Sequence, residues 1–563
     1  MKCWMIRVVA LLPVIALLGC SGAPKRDVAG LPEIDGNAVL EHTKVLASDE
    51  YEGRAPGSRG EELTVNYIID QFKKVGLKPG NTDGAYIQNV PLVGITADPG
   101  FSMSFHKGGS RLKLQFKDDF VAWTKRVVEA VEVTNSELVF VGYGVQAPEY
   151  NWDDFKGADL KGKTLIMLVG DPPVPDPADP AGFDPDSFGG RAMTYYGRWT
   201  YKYEIGAKLG AEAVLIVHET GPAGYPFSVV QSKVTEQFDT VAADKNMSRV
   251  AVEGWITLDR ARELFKLAGK DYDALKKKAV TREFRPVPLA MTAAMKFSNK
   301  LRTIESRNVV GKLEGSDPKL KDEYVIYVSH WDHFGIGPEI NGDKIYNGAL
   351  DNATGIGGMV ELGRAFAQLP TAPRRSILFL AVTAEEQGLL GSDYYARNPI
   401  YPLAGTLGVI NMDGLTVFGQ TRDIEVIGLG KSDLDDYAQR VAAEQGRVIK
   451  PDQEPGKGLY YRSDHFPFAR QGVPALNSGG GEDFIGKPAD FGKKMREDYT
   501  ANHYHKPSDE VRPDWDLSGA AQDLQYYWMV GYRVAQADKY PEWKPGSEFK
   551  AIRDASGVGP KKR

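Results

Sequence analysis

The sequence predicts an α/β fold in which a mixed central sheet is flanked by helices. Three short apolar runs, at residues 324–328, 377–383 and 407–410, have the length and composition of buried strands. Between the first two runs, residues 356–366 place apolar side chains at helical spacing. Strands that alternate with helices in this way are typical of a sheet with parallel strands.

Polar side chains follow each predicted strand at the point where it ends. His330 comes shortly after the first run, Glu385 and Glu386 follow the second, and Asp413 follows the third. Asp351 stands before the predicted helix, where a negative charge near the helix N-terminus is favourable. Because ligands gather at the carboxyl ends of strands in such sheets, we expect these side chains to meet at one edge.

This set of residue types is the ligand inventory of a site for two divalent metal ions. The predicted ligands are His330, Asp351, Glu386, Asp413 and His505. Two ions held close together need a shared carboxylate, for which we predict Asp351, and one imidazole and one further carboxylate each. Imidazole and carboxylate ligands without thiolate indicate two zinc ions first, with cobalt or manganese as substitutes.

Two more acidic residues have predicted roles at this site. Glu385 is next to a predicted ligand and free to act as the general base, taking a proton from the attacking water and passing it to a leaving amine. Asp332 lies two residues beyond His330 and is predicted to accept the second ring N–H of that imidazole, which would fix its tautomer.

Five short motifs in a fixed order carry a resemblance to a known family. They are His-x-Asp at 330–332, Gly-x-x-Asp-Asn-x-x-Gly at 348–355, Ala-Glu-Glu-x-Gly-x-x-Gly-Ser at 384–392, Asn-Met-Asp at 411–413 and Tyr-His-x-Pro-x-Asp at 504–509. From about residue 35 to about residue 537, the sequence resembles the M28 family of co-catalytic zinc peptidases. That family includes bacterial aminopeptidases and glutamate carboxypeptidases.

The resemblance implies a zinc exopeptidase fold and a role for each motif residue. Asp351 would bridge the two zinc ions, with His330 and Asp413 completing one site and Glu386 and His505 completing the other. Glu385 would be the base and Asp332 the partner of His330. The resemblance also makes Tyr504 a candidate for stabilising the tetrahedral intermediate.

The contiguous residues Ser463, Asp464 and His465 invite interpretation as a catalytic triad. Triads are assembled from separate chain segments, because three neighbouring side chains do not easily converge, and we therefore reject that interpretation. The stretch resembles a family motif beside the substrate pocket. Arg462 and Asp464 are accordingly predicted to contact substrate, with bracing of the loop as the alternative.

The amino terminus predicts export and lipid attachment. Lys2 and Arg7 precede an apolar run at 8–18, and residues 17–20 have the form of a bacterial lipobox with Cys20 as the lipid-bearing residue. We expect an exported protein tethered to a membrane by this lipid. Ser21 after the cysteine resembles the outer-membrane sorting pattern of Gram-negative bacteria, with the domain facing either the periplasm or the cell surface.

The length of 563 residues predicts two folded units. We expect a signal segment at 1–20, a tether at 21–34, a discontinuous peptidase domain at 35–117 and 289–540, and a solvated tail at 541–563. Residues 118–288 resemble the protease-associated domain that interrupts many M28 peptidases, a β-rich α/β module. Only Cys3 and Cys20 are present, so no disulfide is predicted to stabilise the mature fold.

The predicted function is that of a two-zinc aminopeptidase acting on peptides. A carboxypeptidase or dipeptidase of the same family is the first alternative, and it should require an arginine-rich subsite for the terminal carboxylate. A glutaminyl cyclase and a receptor-like binding protein are further alternatives. The net charge of −6 and the lack of a basic stripe predict no nucleic-acid partner, and the oligomeric state cannot be predicted.

Overall fold

The computed structural model describes residues 32–179, 182–232 and 236–556. The predicted signal segment and the predicted lipidation residue Cys20 lie outside the described residues. Within the described ranges, no helix is long and apolar enough to cross a membrane.

A mixed sheet forms the centre of the molecule, as the sequence predicted. Four parallel strands lie side by side in the order Ser376–Val382, Tyr324–His330, Thr406–Asn411, Ala475–Gly480. Antiparallel strands continue the sheet on both sides of this block. On one side these are Val287–Leu313, Ile87–Ala97 and Gln237–Thr240, and on the other side Asp423–Ile427, with Val448–Pro451 pairing parallel to it. A two-residue strand, Lys78–Pro79, also pairs with the long strand.

Helices cover both faces of the central sheet because successive side chains of its strands point to opposite faces. Tyr327 belongs to the larger hydrophobic core on one face, and its neighbours Ile326 and Val328 to a smaller core on the other. The helices that contribute to the larger core are Gly36–Leu46, Arg59–Lys74, Thr354–Ala367, Leu434–Glu444 and Ser518–Gln536. The smaller core is closed by Leu390–Arg397 and His465–Arg470.

A second set of strands forms the inserted unit. Their order is Ser110–Leu114, Ser102–Lys107, the first half of Val287–Leu313, Ala130–Phe140, Thr164–Leu168, Ala213–His218, Val252–Thr257 and Phe120–Trp123. The helices here are Trp199–Lys208, Thr220–Ala223, Phe227–Ser232, Leu258–Ala268 and Tyr272–Lys278. The 27-residue strand Val287–Leu313 runs through both sets and joins the two units.

The second set of strands extends beyond the predicted range 118–288. It begins at Ser102, and the long strand keeps pairing with Ala130–Phe140 as far as Ser298. The sequence shows no break at residue 288 because that strand crosses the position without a turn. Within this stretch, the strand Gln237–Thr240 pairs with the central sheet instead.

The C-terminal segment differs from the solvated tail that the sequence predicted. Trp543 and Phe549 are buried and pack with Tyr460, Tyr461 and Phe466 in one hydrophobic cluster. The helix Lys550–Ala555 follows. Two large apolar side chains thus hold residues 541–556 against the unit that contains the central sheet.

Smaller elements complete the described structure. The strands Gly335–Ile340 and Asp343–Tyr346 form a hairpin, and Gln146–Ala147 pairs with Trp152–Asp153. The helix Phe491–Asn502 leads into the predicted ligand His505.

We predict that Phe379→Ala destabilises the protein by about 3–5 kcal/mol, because the ring is fully buried and stacks on Tyr327. The control is Val448→Ala at a mostly exposed position, where a change within about 0.5 kcal/mol is expected. Urea unfolding measures both. Equal effects of the two substitutions would contradict the assigned core.

Candidate metal centre

The predicted ligands meet at one edge of the central sheet. His330 is the last residue of its strand, Glu386 follows the strand Ser376–Val382, and Asp413 follows Thr406–Asn411. These three strands are parallel neighbours, so their carboxyl ends share an edge. Asp351 reaches the same edge from the loop before the helix Thr354–Ala367.

One group of donor atoms surrounds the imidazole of His330. Its Nε2 lies 3.3 Å from Asp351 Oδ1 and 3.3 Å from Asp413 Oδ1. The imidazole is buried, whereas the Asp413 side chain is 29% exposed. This group is therefore open to solvent on the side of Asp413.

A second group surrounds the imidazole of His505. Its Nε2 lies 3.4 Å from Asp351 Oδ2 and 3.2 Å from Glu386 Oε2. The two oxygens of Asp351 thus face different groups, Oδ1 toward His330 and Oδ2 toward His505. A carboxylate in this position can bridge two ions.

The spacing of the donor atoms fits divalent zinc. Ligand bonds of about 2.0–2.1 Å in a tetrahedral site place neighbouring donor atoms about 3.3 Å apart. The four nitrogen–oxygen distances above, 3.2–3.4 Å, have this length. In the first group, donor atoms of His330, Asp351 and Asp413 lie within 4.8 Å of one another and fit a metal ion. In the second group, donor atoms of Asp351 and Glu386 lie within 4.8 Å of an atom of the buried His333 imidazole, and His505 contacts the same two carboxylates.

The electrostatics of the edge also call for cations. Burial raises the pKa of Asp332 to about 7 and the pKa of Asp464 to about 7. Burial, with Glu386 and Asp413 nearby, raises the pKa of Glu385 well above its usual range, although His330 opposes this shift. Several carboxyl groups that are buried together, away from water, favour a positive charge that compensates their negative charge.

Glu385 lies beside the first donor group without replacing a ligand. Its Oε2 is 4.0 Å from His330 Nε2, and its side chain keeps a small exposed fraction. Its backbone N–H donates to Asp332 Oδ1 at 3.0 Å. The position is compatible with the predicted role as a proton acceptor.

Asp332 acts on a different partner from the one that the sequence predicted. Its backbone carbonyl, and not its carboxylate, is the close neighbour of His330 Nδ1, at 3.1 Å against 3.8 Å for Oδ1. The carboxylate instead accepts the backbone N–H groups of Glu385, at 3.0 Å, and Glu386, at 3.4 Å. Asp332 therefore fixes the loop that carries the base and one ligand.

Arg54 is a structural residue of the centre that sequence reasoning missed. Its buried guanidinium donates to the carbonyl oxygens of Trp331, Asn347 and Gly348 at 2.6–2.8 Å, and to Leu46 at 2.7 Å. It thereby joins the loop after His330 to the loop before Asp351. The only sequence signal is an arginine within a Gly/Pro-containing loop, because carbonyl partners leave no side-chain pattern.

Asp509 holds the same loop from the other side. Its carboxylate accepts the backbone N–H groups of Leu350 at 3.0 Å and Asp351 at 3.1 Å, and the hydroxyl of Tyr499 at 3.1 Å. Its backbone carbonyl accepts Ala349 N–H at 3.0 Å. Asp509 is the last residue of the motif that contains His505, so one motif supplies both a predicted ligand and a support for the bridge.

The residues predicted to contact substrate lie in different environments. Asp464 is fully buried and accepts a hydrogen bond from Ser392 at 2.6 Å, so in this structure it braces the loop. Arg462 is exposed. Tyr504 is 45% exposed, and its ring stacks on His505 with centroids 3.6 Å apart.

Ser463 and His465 do not form a triad with Asp464. The Ser463 hydroxyl donates to Asp413 Oδ2 at 2.6 Å, and Asn411 donates to the same hydroxyl at 2.7 Å. The buried ring of His465 packs against Tyr460 instead. Ser463 therefore orients a predicted ligand.

We predict that Arg54→Met destabilises the protein by about 3 kcal/mol or more, because it leaves several buried carbonyl groups without a donor. Urea unfolding measures the change. The control is Arg59→Met, since Arg59 is more exposed and its ion pair with Glu52 contributes little. A loss below about 1 kcal/mol for Arg54→Met would show that the clamp does not hold these loops.

Parts of this chain are similar in sequence to known proteins. Residues 308–529 match peptidase family M28. A probable zinc metalloprotease of Pyricularia oryzae is 34% identical over 283 residues, which are 45% of this chain and 52% of that protein. Aminopeptidase NAALADL1 of Mus musculus is 31% identical over 137 residues, 23% of this chain and 16% of that protein. The chain thus covers about half or less of the length of these relatives.

A solved structure, the aminopeptidase from Aneurinibacillus sp. strain AM-1, aligns over 92% of this chain and 95% of its own, with 20% identity and a TM-score of 0.48. The family match covers all five predicted ligands and Glu385. The stretch that carries the candidate metal centre is therefore the stretch that matches peptidase family M28.

Proposed function

We propose that this protein is a zinc metallopeptidase that uses two metal ions and removes amino-terminal residues from peptides. The observation that carries the proposal is the position of Asp351, which directs one oxygen toward each of two imidazole–carboxylate groups. Relatives named as a zinc metalloprotease and an aminopeptidase support it.

Five side chains would hold the metal ions. His330 and Asp413 would hold one, Glu386 and His505 the other, and Asp351 both. Bound zinc supplies Lewis acidity toward a carbonyl oxygen and lowers the pKa of a bound water.

Glu385 would move the proton in the reaction. Its carboxylate lies at the open side of the first group, where it would accept a proton from the attacking water and deliver it to the leaving amine. Its raised pKa, caused first by burial, suits a group that must hold a proton between two steps.

Tyr504 would donate to the oxygen that gains charge on the substrate carbonyl. The stacking of its ring on His505 limits its orientation, and its exposure places it where substrate can reach. We further propose that the inserted unit is a protease-associated module that shapes substrate entry.

An amino-terminal specificity follows from the charges at the open side of the centre. Asp413, whose side chain is 29% exposed, is the most exposed carboxylate of the centre, and a free α-ammonium group is attracted to it.

A second candidate, cleavage next to a free carboxyl terminus, is favoured by two arginines. Arg462 directly precedes Ser463 in the sequence, and the Ser463 hydroxyl donates a hydrogen bond to Asp413. Arg198 of the inserted unit lies close to Arg462. The pKa of Arg198 is lowered to about 10, first by burial and second by the positive charge of Arg462. In the described part of the chain neither forms an ion pair, and Arg198 Nε has no hydrogen-bond partner.

The surroundings of Arg198 place it where the inserted unit contacts the peptidase unit. The neighbouring Tyr195 ring lies 5.1 Å from Phe466 and 6.1 Å from Tyr461, between centroids. Met193 N–H donates to the carbonyl of Pro455 at 2.9 Å. Two unpaired guanidinium groups at such a junction favour a carboxylate partner.

We predict that Glu385→Gln lowers kcat by about 100- to 10,000-fold and leaves the zinc content unchanged, because it removes the proton carrier and no ligand. Peptide hydrolysis and elemental analysis measure the two quantities. The control, Glu339→Gln, changes an exposed glutamate of the nearby hairpin and should retain activity. An active Glu385→Gln protein would refute the assigned role.

Hydrolysis assays on peptides with free or blocked termini distinguish the two candidate functions. We predict that acetylation of the amino terminus abolishes cleavage and that amidation of the carboxyl terminus is tolerated. The opposite pattern would establish the second candidate. In that case Arg198→Gln should lower kcat/KM about 10- to 100-fold for free carboxyl termini only, with Arg198→Lys less affected.

A further inference from the structure

A third imidazole lies at the centre outside the predicted ligand set. His333 is fully buried, and its Nδ1 lies 2.6 Å from Glu386 Oε1. The other oxygen of the same carboxylate, Oε2, faces His505 at 3.2 Å. The two oxygens of Glu386 are thus divided between two imidazoles.

No other polar group in the described structure satisfies the His333 ring. Both ring nitrogens and Glu386 Oε1 are buried without an aligned hydrogen-bond partner, so the short distance between Nδ1 and Oε1 is the one polar approach that each makes here. A small rotation of the ring would convert this approach into a hydrogen bond to a carboxylate. Because the ring and the oxygen are both buried, a contact between them contributes more stabilising free energy than the same contact between exposed groups would.

The surrounding chain keeps the His333 ring in place. Phe334 packs against it edge-on with centroids 5.0 Å apart, and His505 does so at 5.9 Å. Gly348 has φ 55°, and a Cβ there would stand 2.5 Å from His333 Cγ. Glycine at 348 therefore leaves the space that the ring fills.

The corresponding ligand of the first group is held differently. Asp413 is 29% exposed, and its outer oxygen accepts a hydrogen bond from the neutral Ser463 hydroxyl. The Glu386 side chain is only 3% exposed. The two groups therefore differ in solvent access and in the partner that fixes the carboxylate.

We propose that His333 is a positioning residue that donates a hydrogen bond from Nδ1 to Glu386 Oε1. This bond would leave Oε2 as the oxygen of Glu386 that binds metal. As a result, the His505 group would bind its metal ion more tightly than the His330 group does. This inference rests on the proposed two-metal function. Partners that orient a metal ligand typically change metal affinity by about 10- to 100-fold.

The test compares His333→Ala and His333→Asn in the full peptidase chain loaded with zinc and, separately, with cobalt. Asparagine places an amide donor near the position of Nδ1, and alanine does not. The matched control is His218→Ala, which removes an equally buried imidazole of the inserted unit that packs among aromatic rings. Circular dichroism of the metal-free proteins checks that each variant is folded.

Graded removal of zinc by a chelator, followed by elemental analysis, reports the two affinities. We expect the wild-type protein and His218→Ala to lose one ion before the other. His333→Ala should bind the tighter ion about 10- to 100-fold more weakly, and His333→Asn should recover most of that loss. The cobalt absorption spectrum of the two-ion form should be the same for His333→Asn and wild type.

Three results would overturn the inference. Wild-type affinity for both ions in His333→Ala would exclude a positioning role. A changed cobalt spectrum in His333→Asn would show that the ring itself is a ligand. A wild-type protein that never binds a second ion would instead refute the two-metal function, so the two failures are distinguishable.

Discussion

The loop that carries Asp351 must present one carboxylate to two imidazole groups at once, and the rest of the centre depends on that placement. The loop forms only the short helical turn Ala349–Ala353 here, and the backbone angles of Asp351 and Asn352 are not helical, so other segments have to fix it. Arg54 binds its carbonyl oxygens and Asp509 binds its N–H groups. The Asp351 loop is therefore held by its backbone from both sides, and its two side-chain oxygens face His330 and His505.

The same supports connect the metal centre to the fold. Arg54 comes from the segment before the helix Arg59–Lys74, and Asp509 follows His505. Asp332 ties the loop of Glu385 and Glu386 to the end of the His330 strand. Each segment that supplies a ligand thus contacts the backbone of another. Such contacts fix positions at the scale that a two-metal site requires.

Much of the fold, and the meeting of the predicted ligands at one edge, could be predicted from the sequence, because both leave side-chain patterns. Apolar runs predicted the parallel strands, and the acids and His330 after them predicted the shared edge. The supports could not be predicted, since Arg54 acts on carbonyl groups and Asp332 on N–H groups that any residue provides. The proximity of Arg198 to Arg462 was equally hidden, because the two residues are far apart in sequence.

The extent of the second set of strands was hidden for a related reason. The strand Val287–Leu313 is continuous across the junction, so composition does not change where the units meet. The buried Trp543 and Phe549 were overlooked because isolated aromatic residues in a charged segment show no periodicity.

The most direct test of a bridged centre is a crystal structure of the zinc-loaded protein with anomalous data at the zinc edge. The account predicts two peaks about 3.5 Å apart, one on each side of the Asp351 carboxylate. A single peak, or two peaks that do not share Asp351, would contradict it.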